Sequence, residues 1–239
     1  MKPATAPKRR RAIPAAPTAE GKKCRVVLVA DHPIVRQGLA QLINQQPGLR
    51  VAGEADSGAK ALELVRASPP DLLLLDISLP KTNGLELIKQ LKVENPRLPM
   101  LVISIHDEML YAERTLRAGA RGYVMKEEPG ETILLAIDHV LQGEIYVSDR
   151  MQQKMLQRLV GNPLPDGISS SLEHLSDREL EVFQLLGQGF ATRQVAQQLS
   201  LSIKTIESYR ENLKLKLNVN SAAELVQHAI QRMKSGPAL

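Results

Sequence analysis

Hydrophobic residues from Arg25 to Gln142 alternate between short continuous runs and helix-spaced segments. The runs are rich in leucine and β-branched residues, and the segments between them repeat apolar positions every three to four residues. This alternation is typical of a parallel sheet with helices on both faces, so we expect a five-stranded, doubly wound, flavodoxin-like α/β domain. The pattern predicts strands at residues 25–30, 49–54, 71–75, 100–104 and 122–124, and helices near residues 33–46, 57–67, 83–94, 108–118 and 130–142.

The segment after Tyr146 has a different pattern. A helix-compatible stretch at residues 148–160 leads into GNPLPDGISSS, whose prolines, glycines and serines are typical of an interdomain linker. We therefore expect a linker over residues 146–171, helical at first and then rich in turn residues.

The C-terminal segment, residues 172–239, is wholly helical in its pattern. Ser176 followed three residues later by Glu179 forms a capping-box signature for the first helix. Candidate starts of three further helices are Thr192, Ser202 and Ser221. We expect an all-α, four-helix domain.

The formal net charge of +5 is concentrated in the N-terminal tail. Residues 1–25 carry a net charge of +7, residues 26–171 carry −3, and residues 172–239 carry +1. The tail is rich in proline and alanine and lacks apolar periodicity, so we expect residues 1–23 to be disordered. Its basic cluster at residues 8–11 is better explained as part of a solvated tail than as a nucleic-acid contact.

The composition argues against several classes of protein. Cys24 is the only cysteine, so no internal disulfide forms, and the five histidines are too scattered to suggest a metal site. The longest apolar runs, residues 26–30 and 133–137, are far shorter than the roughly 20 residues that cross a bilayer, and no signal-peptide stretch is found. We expect a cytoplasmic protein that does not bind a membrane.

Polar side chains follow the predicted strands at their carboxyl ends, where doubly wound sheets bind ligands. Asp31 follows the first strand, Asp76 the third, Ser104 the fourth and Lys126 the fifth. Two carboxylates suit a Mg²⁺ ion, and a carboxylate that attacks phosphorus forms an acyl phosphate whose oxygens a metal, a hydroxyl and an ammonium group stabilise. Asp76 is the expected nucleophile.

Four ordered blocks in this region resemble response-regulator receiver domains, especially those of the NarL/FixJ branch. They read VVLVADHPIVRQGL, DLLLLDISLPKTNGLEL, MLVISIHDE and GARGYVMKEEP, and the resemblance covers about residues 24–145. It implies that Asp76 is the phosphoacceptor. It also implies that Asp31, Asp76 and the backbone carbonyl of Ser78 bind Mg²⁺.

The same resemblance implies roles for the remaining residues of the site, and at one position this chain differs from the family. Ser104 and Tyr123 match the switch pair, although Tyr123 taken alone is better explained as a half-buried strand tyrosine. Lys126 matches the lysine that contacts phosphoryl oxygens. The family usually has two adjacent acids after the first strand, and here Ala30 precedes Asp31. The missing carboxylate is expected to weaken Mg²⁺ binding.

The segment from LSDRELEVFQLLGQGF to AAELVQHAI, about residues 172–234, resembles the LuxR-type helix-turn-helix. A helix at residues 192–199, a short turn and a helix at residues 203–217 give the two-helix geometry that places its second member in the major groove. On that helix Ile206, Leu213 and Leu217 share a narrow arc and are expected to pack inward, with Ile203 and Tyr209 at its margins.

The other side chains of this helix are candidates for contacts with a double-stranded DNA operator. The expected phosphate or backbone contacts are Lys204, Thr205, Tyr209 and Lys216. The expected base-reading residues are Glu207, Ser208 and Glu211. For any single side chain, an ordinary solvated charge on an amphipathic helix remains an alternative.

The net charge of +1 over residues 172–239 predicts that a single copy of this segment binds DNA weakly. The last helix clusters Leu225, Val226, Ala229 and Ile230 on one face, which can pair two copies into a homodimer or complete the core of one copy. Asn218 suits the left-handed conformation that ends a helix.

The main hypothesis is a response regulator, not an enzyme, in which a sensor histidine kinase phosphorylates Asp76 and thereby controls dimerisation and DNA binding. A second hypothesis, motivated by Ala30, is a DNA-binding regulator with a phosphorylation-independent pseudo-receiver. A third is a phosphoesterase with an aspartyl nucleophile, which usually has a second acid where this chain has Ser78. We interpret His32 and His106 as loop or capping histidines.

Overall fold

The computed structural model describes residues 23–79, 82–161, 172 and 174–234. The basic tail predicted at residues 1–23 lies outside this range except for Lys23, and so do residues 162–171 of the predicted linker. Among the described helices, none is long and apolar enough to cross a membrane.

Five parallel strands form a single sheet in the order β2-β1-β3-β4-β5. This order confirms the predicted doubly wound topology. Every residue of the third and fourth strands is buried, as their continuous apolar sequence predicted. The strands are β1 (Cys24–Val29), β2 (Leu49–Ala55), β3 (Leu72–Asp76), β4 (Met100–Ser104) and β5 (Gly122–Met125).

Helices cover both faces of the sheet and bury two separate apolar clusters. Successive residues of β3 show the division, because Leu73 and Leu75 belong to one cluster whereas Leu72 and Leu74 belong to the other. Each predicted helix of this unit is present within about two residues of its expected ends. They are α1 (Pro33–Asn44), α2 (Gly58–Ala67), α3 (Gly84–Glu94), α4 (Glu108–Ala118) and α5 (Gly130–Leu141).

The loop between β3 and α3 passes close to its own backbone at Gly84. A Cβ atom added to Gly84 would lie 2.5 Å from Ile77 Cα, so only glycine fits at this position. Asn83 caps α3 by accepting a hydrogen bond from the backbone N–H of Glu86 at 3.0 Å. The segment that follows Asp76 is therefore held tightly against the start of α3.

The helix α6 (Asp149–Leu159) packs on the α/β unit. Met151 is fully buried, and the Lys154 ammonium donates a hydrogen bond to the backbone carbonyl of Met109 at 2.7 Å. The backbone N–H of Ser148 donates to the Glu108 carboxylate at 2.8 Å. The helical half of the segment that we expected to be a linker is therefore anchored to α4.

The described part of the C-terminal segment contains four helices, as predicted. The capping box of Ser176 and Glu179 is present, Ser202 caps its helix, and Ser221 accepts from the backbone N–H of Glu224. Thr192 is the first helical residue, but Ala191 occupies the cap position. The helices are α7 (Asp177–Gly187), α8 (Thr192–Leu199), α9 (Ile203–Leu217) and α10 (Ala222–Lys234).

The packing of α9 and α10 largely follows the predicted faces. Ile206, Leu213 and Leu217 are buried, whereas Ile203 at the margin of the arc is 46% exposed because it lies in the first turn of α9. Asn218 ends α9 in the left-handed conformation, with φ 53° and ψ 45°. On α10, Leu225 and Ala229 are buried in the monomer core, and Val226 and Ile230 are half-buried.

Candidate functional site

The four polar residues predicted at the carboxyl edge of the sheet lie where the topology should place them. Asp76 is the last residue of β3 and Ser104 is the last residue of β4, and both are fully buried. Asp31 follows β1 after Ala30, and Lys126 follows β5 directly. Parallel strands bring these ends to one edge although the residues are far apart in sequence.

Asp76 is a buried, fully partnered carboxylate. The Lys126 ammonium donates a short hydrogen bond to its Oδ2, and the backbone N–H of Ser78 donates to its Oδ1 at 2.9 Å. The Lys126 side chain is itself only 11% exposed. Asp76 is therefore not a solvated loop acid, and its negative charge is offset by a specific cation.

Asp31 supplies a second carboxylate beside Asp76. Ligand atoms of Asp31, His32 and Asp76 lie within 4.8 Å of one another, which is close enough for a shared ion. Oxygen ligands of this kind suit Mg²⁺, so the residues present fit the metal that the receiver resemblance implies. The Ala30 side chain offers no ligand, and the imidazole Nδ1 of His32 lies 2.6 Å from Asp31 Oδ1.

Ser104 and Tyr123, the predicted switch pair, both contact the backbone of His106. The Ser104 hydroxyl accepts a hydrogen bond from the His106 N–H at 3.0 Å, and the Tyr123 hydroxyl donates to the His106 carbonyl at 2.7 Å. Tyr123 is fully buried, not half-buried as its sequence alone suggested, and burial raises its pKa well above the ordinary value. Its phenol therefore remains a hydrogen-bond donor.

His106 has a larger role in the site than the sequence indicated. Its ring Nε2 lies 3.0 Å from the Ser78 hydroxyl, and its ring stacks on Tyr111 with centroids 4.8 Å apart. Burial lowers the pKa of His106 to about 4, so the imidazole is neutral at neutral pH. The only sequence signal was its position two residues after Ser104, which gave no information about its partners.

The predicted DNA-facing side of α9 is open. Lys204, Glu207, Ser208 and Glu211 are exposed, whereas Thr205 and Tyr209 are half-buried. The Ser208 hydroxyl donates to the Lys204 carbonyl at 3.1 Å, and Glu211 pairs with Lys214 at 2.8 Å. The Thr205 hydroxyl lies 2.7 Å from the Ser202 hydroxyl at the helix cap. Exposed polar groups are thus concentrated on one side of this helix.

Lys216, a predicted phosphate contact, is engaged within the helical unit. Its ammonium lies 2.7 Å from a carboxylate oxygen of Glu179, whose side chain is 5% exposed. Burial raises the pKa of Glu179, but hydrogen bonds from Lys216 and Ser176 outweigh it and leave the pKa lowered. Lys216 therefore ties α9 to the start of α7.

These features define a class of protein. A doubly wound sheet with an acid, a hydroxyl and a lysine at its carboxyl edge, joined to a helix-turn-helix, is the architecture of a two-domain transcription regulator. Residues 26–138 match the response regulator receiver domain, and residues 173–229 match the bacterial regulatory proteins of the luxR family. The chain belongs to the response regulators that combine a receiver domain with a luxR-type DNA-binding domain.

Individual relatives agree with this assignment. The chain is 32% identical over 212 residues to the oxygen regulatory protein NreC of Staphylococcus epidermidis, covering 87% of this chain and 97% of the relative. Promoter-bound RcsB from Salmonella enterica serovar Typhimurium aligns with a TM-score of 0.63 and 25% identity over 87% of this chain and 99% of RcsB. A LuxR-family two-component response regulator from Aurantimonas aligns with a TM-score of 0.55 and 32% identity over 58% of this chain and 99% of its own.

The buried pair of Asp76 and Lys126 leads to a stability prediction. Lys126→Met leaves the Asp76 charge buried without a cation and should lower the free energy of unfolding by about 3–5 kcal/mol. In an Asp76→Asn background the same change should lower the free energy of unfolding by much less, because no buried charge remains. Urea denaturation in Mg²⁺-free buffer measures both costs, with Lys60→Met at an exposed position as control. Equal costs in the two backgrounds would contradict the pairing.

Proposed function

We propose that Asp76 accepts a phosphoryl group from a phosphohistidine of a sensor histidine kinase, and that this modification controls DNA binding by the luxR-type domain. The observation that carries the proposal is the meeting of Asp76, Asp31, Ser104 and Lys126 at one edge of the sheet. The promoter-bound RcsB structure was obtained with the phosphomimetic BeF₃⁻, which supports the same coupling for this chain.

The chemistry follows from the partners of Asp76. A carboxylate oxygen forms the new P–O bond as the P–N bond to the donor imidazole breaks, which gives an acyl phosphate. Lys126 already lies against the Asp76 carboxylate, and we infer that its ammonium then binds a phosphoryl oxygen. The Ser104 hydroxyl lies at the end of the neighbouring strand and can turn from the His106 N–H towards the phosphoryl group.

We propose that Asp31, Asp76 and the Ser78 carbonyl hold a Mg²⁺ ion at this edge. When bound, the ion neutralises charge on the transferring phosphoryl oxygens. The chain has one carboxylate fewer than is usual, and the hydrogen bond from His32 helps to orient the Asp31 carboxylate that remains. Binding of Mg²⁺ is therefore expected to be weaker than with two adjacent acids.

The departure at Ala30 also favours a second candidate, a pseudo-receiver that regulates DNA binding without phosphorylation. Ala30 is 1% exposed, and its methyl group offers no ligand where the family usually has an acid. A phosphoesterase activity receives no similar support. Ser78, at the position of the second acid of such enzymes, has its hydroxyl hydrogen-bonded to His106.

Restoring the second acid tests the metal assignment. Ala30→Asp should tighten Mg²⁺ binding by about tenfold, because another carboxylate joins the site. Isothermal titration calorimetry with MgCl₂ gives both dissociation constants. Ala67→Asp adds the same charge at an exposed position, the C-terminus of α2, and should leave the constant unchanged. Equal Mg²⁺ affinity in Ala30→Asp and the unmodified protein would contradict a metal site at this edge.

Removing the phosphoacceptor separates the two candidate functions. With Mg²⁺ and acetyl phosphate, the unmodified protein should bind its operator roughly tenfold more tightly, a typical allosteric coupling, whereas Asp76→Asn should show no response. Fluorescence anisotropy with DNA selected from a random duplex library measures the response. Asp56→Asn, an exposed acid that follows β2, is the matched control and should respond like the unmodified protein. No response to the phosphodonor in the unmodified protein would favour the pseudo-receiver, and an undiminished response in Asp76→Asn would contradict Asp76 as the phosphoacceptor.

We propose that α9 enters the major groove of a double-stranded operator and that two copies of the chain bind together. Lys204, Thr205 and Tyr209 are placed for phosphate contacts, and Lys216 can join them only by leaving Glu179. The exposed Glu207, Ser208 and Glu211 are the proposed base-reading residues. The half-buried face of Val226 and Ile230 on α10 is a candidate for contact between the copies.

Two substitutions on α9 separate the proposed roles. Lys204→Ala should weaken binding to all duplexes and reduce the slope of log affinity against log salt by about 0.9, the value for one phosphate. Glu207→Ala should instead alter the ranking of sequences, by about 1–3 kcal/mol at one base position. Anisotropy titrations at several salt concentrations measure both effects, with Lys60→Ala as control. An unchanged salt slope in Lys204→Ala would contradict its contact with phosphate.

A further inference from the structure

Two hydroxyl groups beside the acid site, those of Ser104 and Ser78, contact His106. Its backbone N–H donates to the Ser104 hydroxyl at 3.0 Å, and its ring Nε2 lies 3.0 Å from the Ser78 hydroxyl. The backbone N–H of Ser78 in turn donates to Asp76 Oδ1 at 2.9 Å. The positions of the His106 backbone and ring thus both depend on groups adjoining the Asp76 carboxylate.

The His106 ring also contacts Tyr111, whose hydroxyl group reaches the DNA-binding domain. The ring stacks on Tyr111 of α4, with centroids 4.8 Å apart and an interplanar angle of 21°. Tyr111 is 5% exposed, and its hydroxyl donates to Gln184 Oε1 of α7 at 2.8 Å. Because burial raises the pKa of Tyr111, its phenol is a permanent donor in this contact. A single aromatic side chain therefore joins His106 to the DNA-binding domain.

The Tyr111 contact lies within a wider polar interface between the two domains. Asp177, at the start of α7, pairs with Arg114 of α4 at 3.0 Å and with Lys89 of α3 at 3.2 Å. The Asn83 side-chain amide donates to Glu181 at 3.2 Å. The helix α7 is thus docked on α3 and α4 by partly buried ion pairs and by hydrogen bonds from the buried Asn83 and Tyr111.

We propose that His106 is a positioning residue that transmits the phosphorylation state of Asp76 to the Tyr111–Gln184 contact, and so controls docking of the DNA-binding domain. The proposal rests on the proposed function of Asp76. A phosphoryl group on Asp76 draws the Ser104 hydroxyl away from the His106 N–H and crowds Ser78. His106 then loses the contacts that fix its ring beneath Tyr111.

The geometry makes this response discrete. Tyr111 is enclosed in the core and cannot follow a shift of His106 gradually, because packed interiors resist continuous deformation. Its hydroxyl either reaches Gln184 or leaves the Gln184 amide oxygen without this donor. Loss of the stack frees Tyr111 to leave Gln184, and loss of that hydrogen bond weakens the docking of α7, which the contacts of Asp177 and Glu181 also hold.

The test compares the unmodified chain with His106→Gln and Tyr111→Phe, each with and without acetyl phosphate and Mg²⁺. Hydrogen–deuterium exchange of residues 177–187 reports docking, and intact mass reports phosphorylation of the same samples. In the unmodified protein, phosphorylation should raise the exchange rate of this segment several-fold. Tyr111→Phe should raise it about fivefold without phosphodonor, the factor for loss of roughly one net hydrogen bond.

His106→Gln should be phosphorylated as fully as the unmodified protein but should show the same exchange rate with and without phosphodonor. His139→Gln, on the opposite face of the sheet, should keep the full response. A full exchange response in phosphorylated His106→Gln would overturn the role of His106 and leave the proposed function intact. A failure of the unmodified protein to become phosphorylated would overturn the proposed function, and this inference with it.

Discussion

The structure depends on the compensation of one buried negative charge at the carboxyl edge of the sheet. Asp76 is fully buried at the end of β3, and an unpaired carboxylate there would be strongly destabilising. Lys126 provides the opposite charge from beyond β5, across the intervening strand β4. Any group that changes the charge on Asp76 must therefore change what Lys126 and the nearby hydroxyls contact.

This constraint connects the chemistry of the site to the arrangement of the domains. The hydroxyl groups of Ser78 and Ser104 contact His106, and His106 packs against the helix on which the DNA-binding domain docks. The same helix, α4, also anchors α6, because Lys154 and Ser148 bind to its first turn and its N-terminal carboxylate. Both segments that follow the receiver domain thus contact α4, the helix that begins four residues after Ser104.

The sequence predicted all five strands and the helices of both domains, because hydrophobic periodicity is a local signal. It also placed Asp31, Asp76, Ser104 and Lys126 together, since parallel strands end at one edge. It did not predict the stacking of His106 on Tyr111, the contact with Gln184, or the pairing of Lys216 with Glu179. These contacts join segments that are not neighbours in the sequence or depend on side-chain orientation, and neither leaves a periodic pattern.

The position of the acyl phosphate tests the central claim most directly. The unmodified protein is incubated with Mg²⁺ and acetyl phosphate, the acyl phosphate is reduced with borohydride to homoserine, and peptide mass spectrometry locates the converted residue. The account predicts conversion at Asp76 alone, because among the described residues this is the carboxylate that combines full burial with a lysine and a neighbouring acid at the sheet edge. Conversion at Asp31 or at another acid, or no conversion at all, would contradict it.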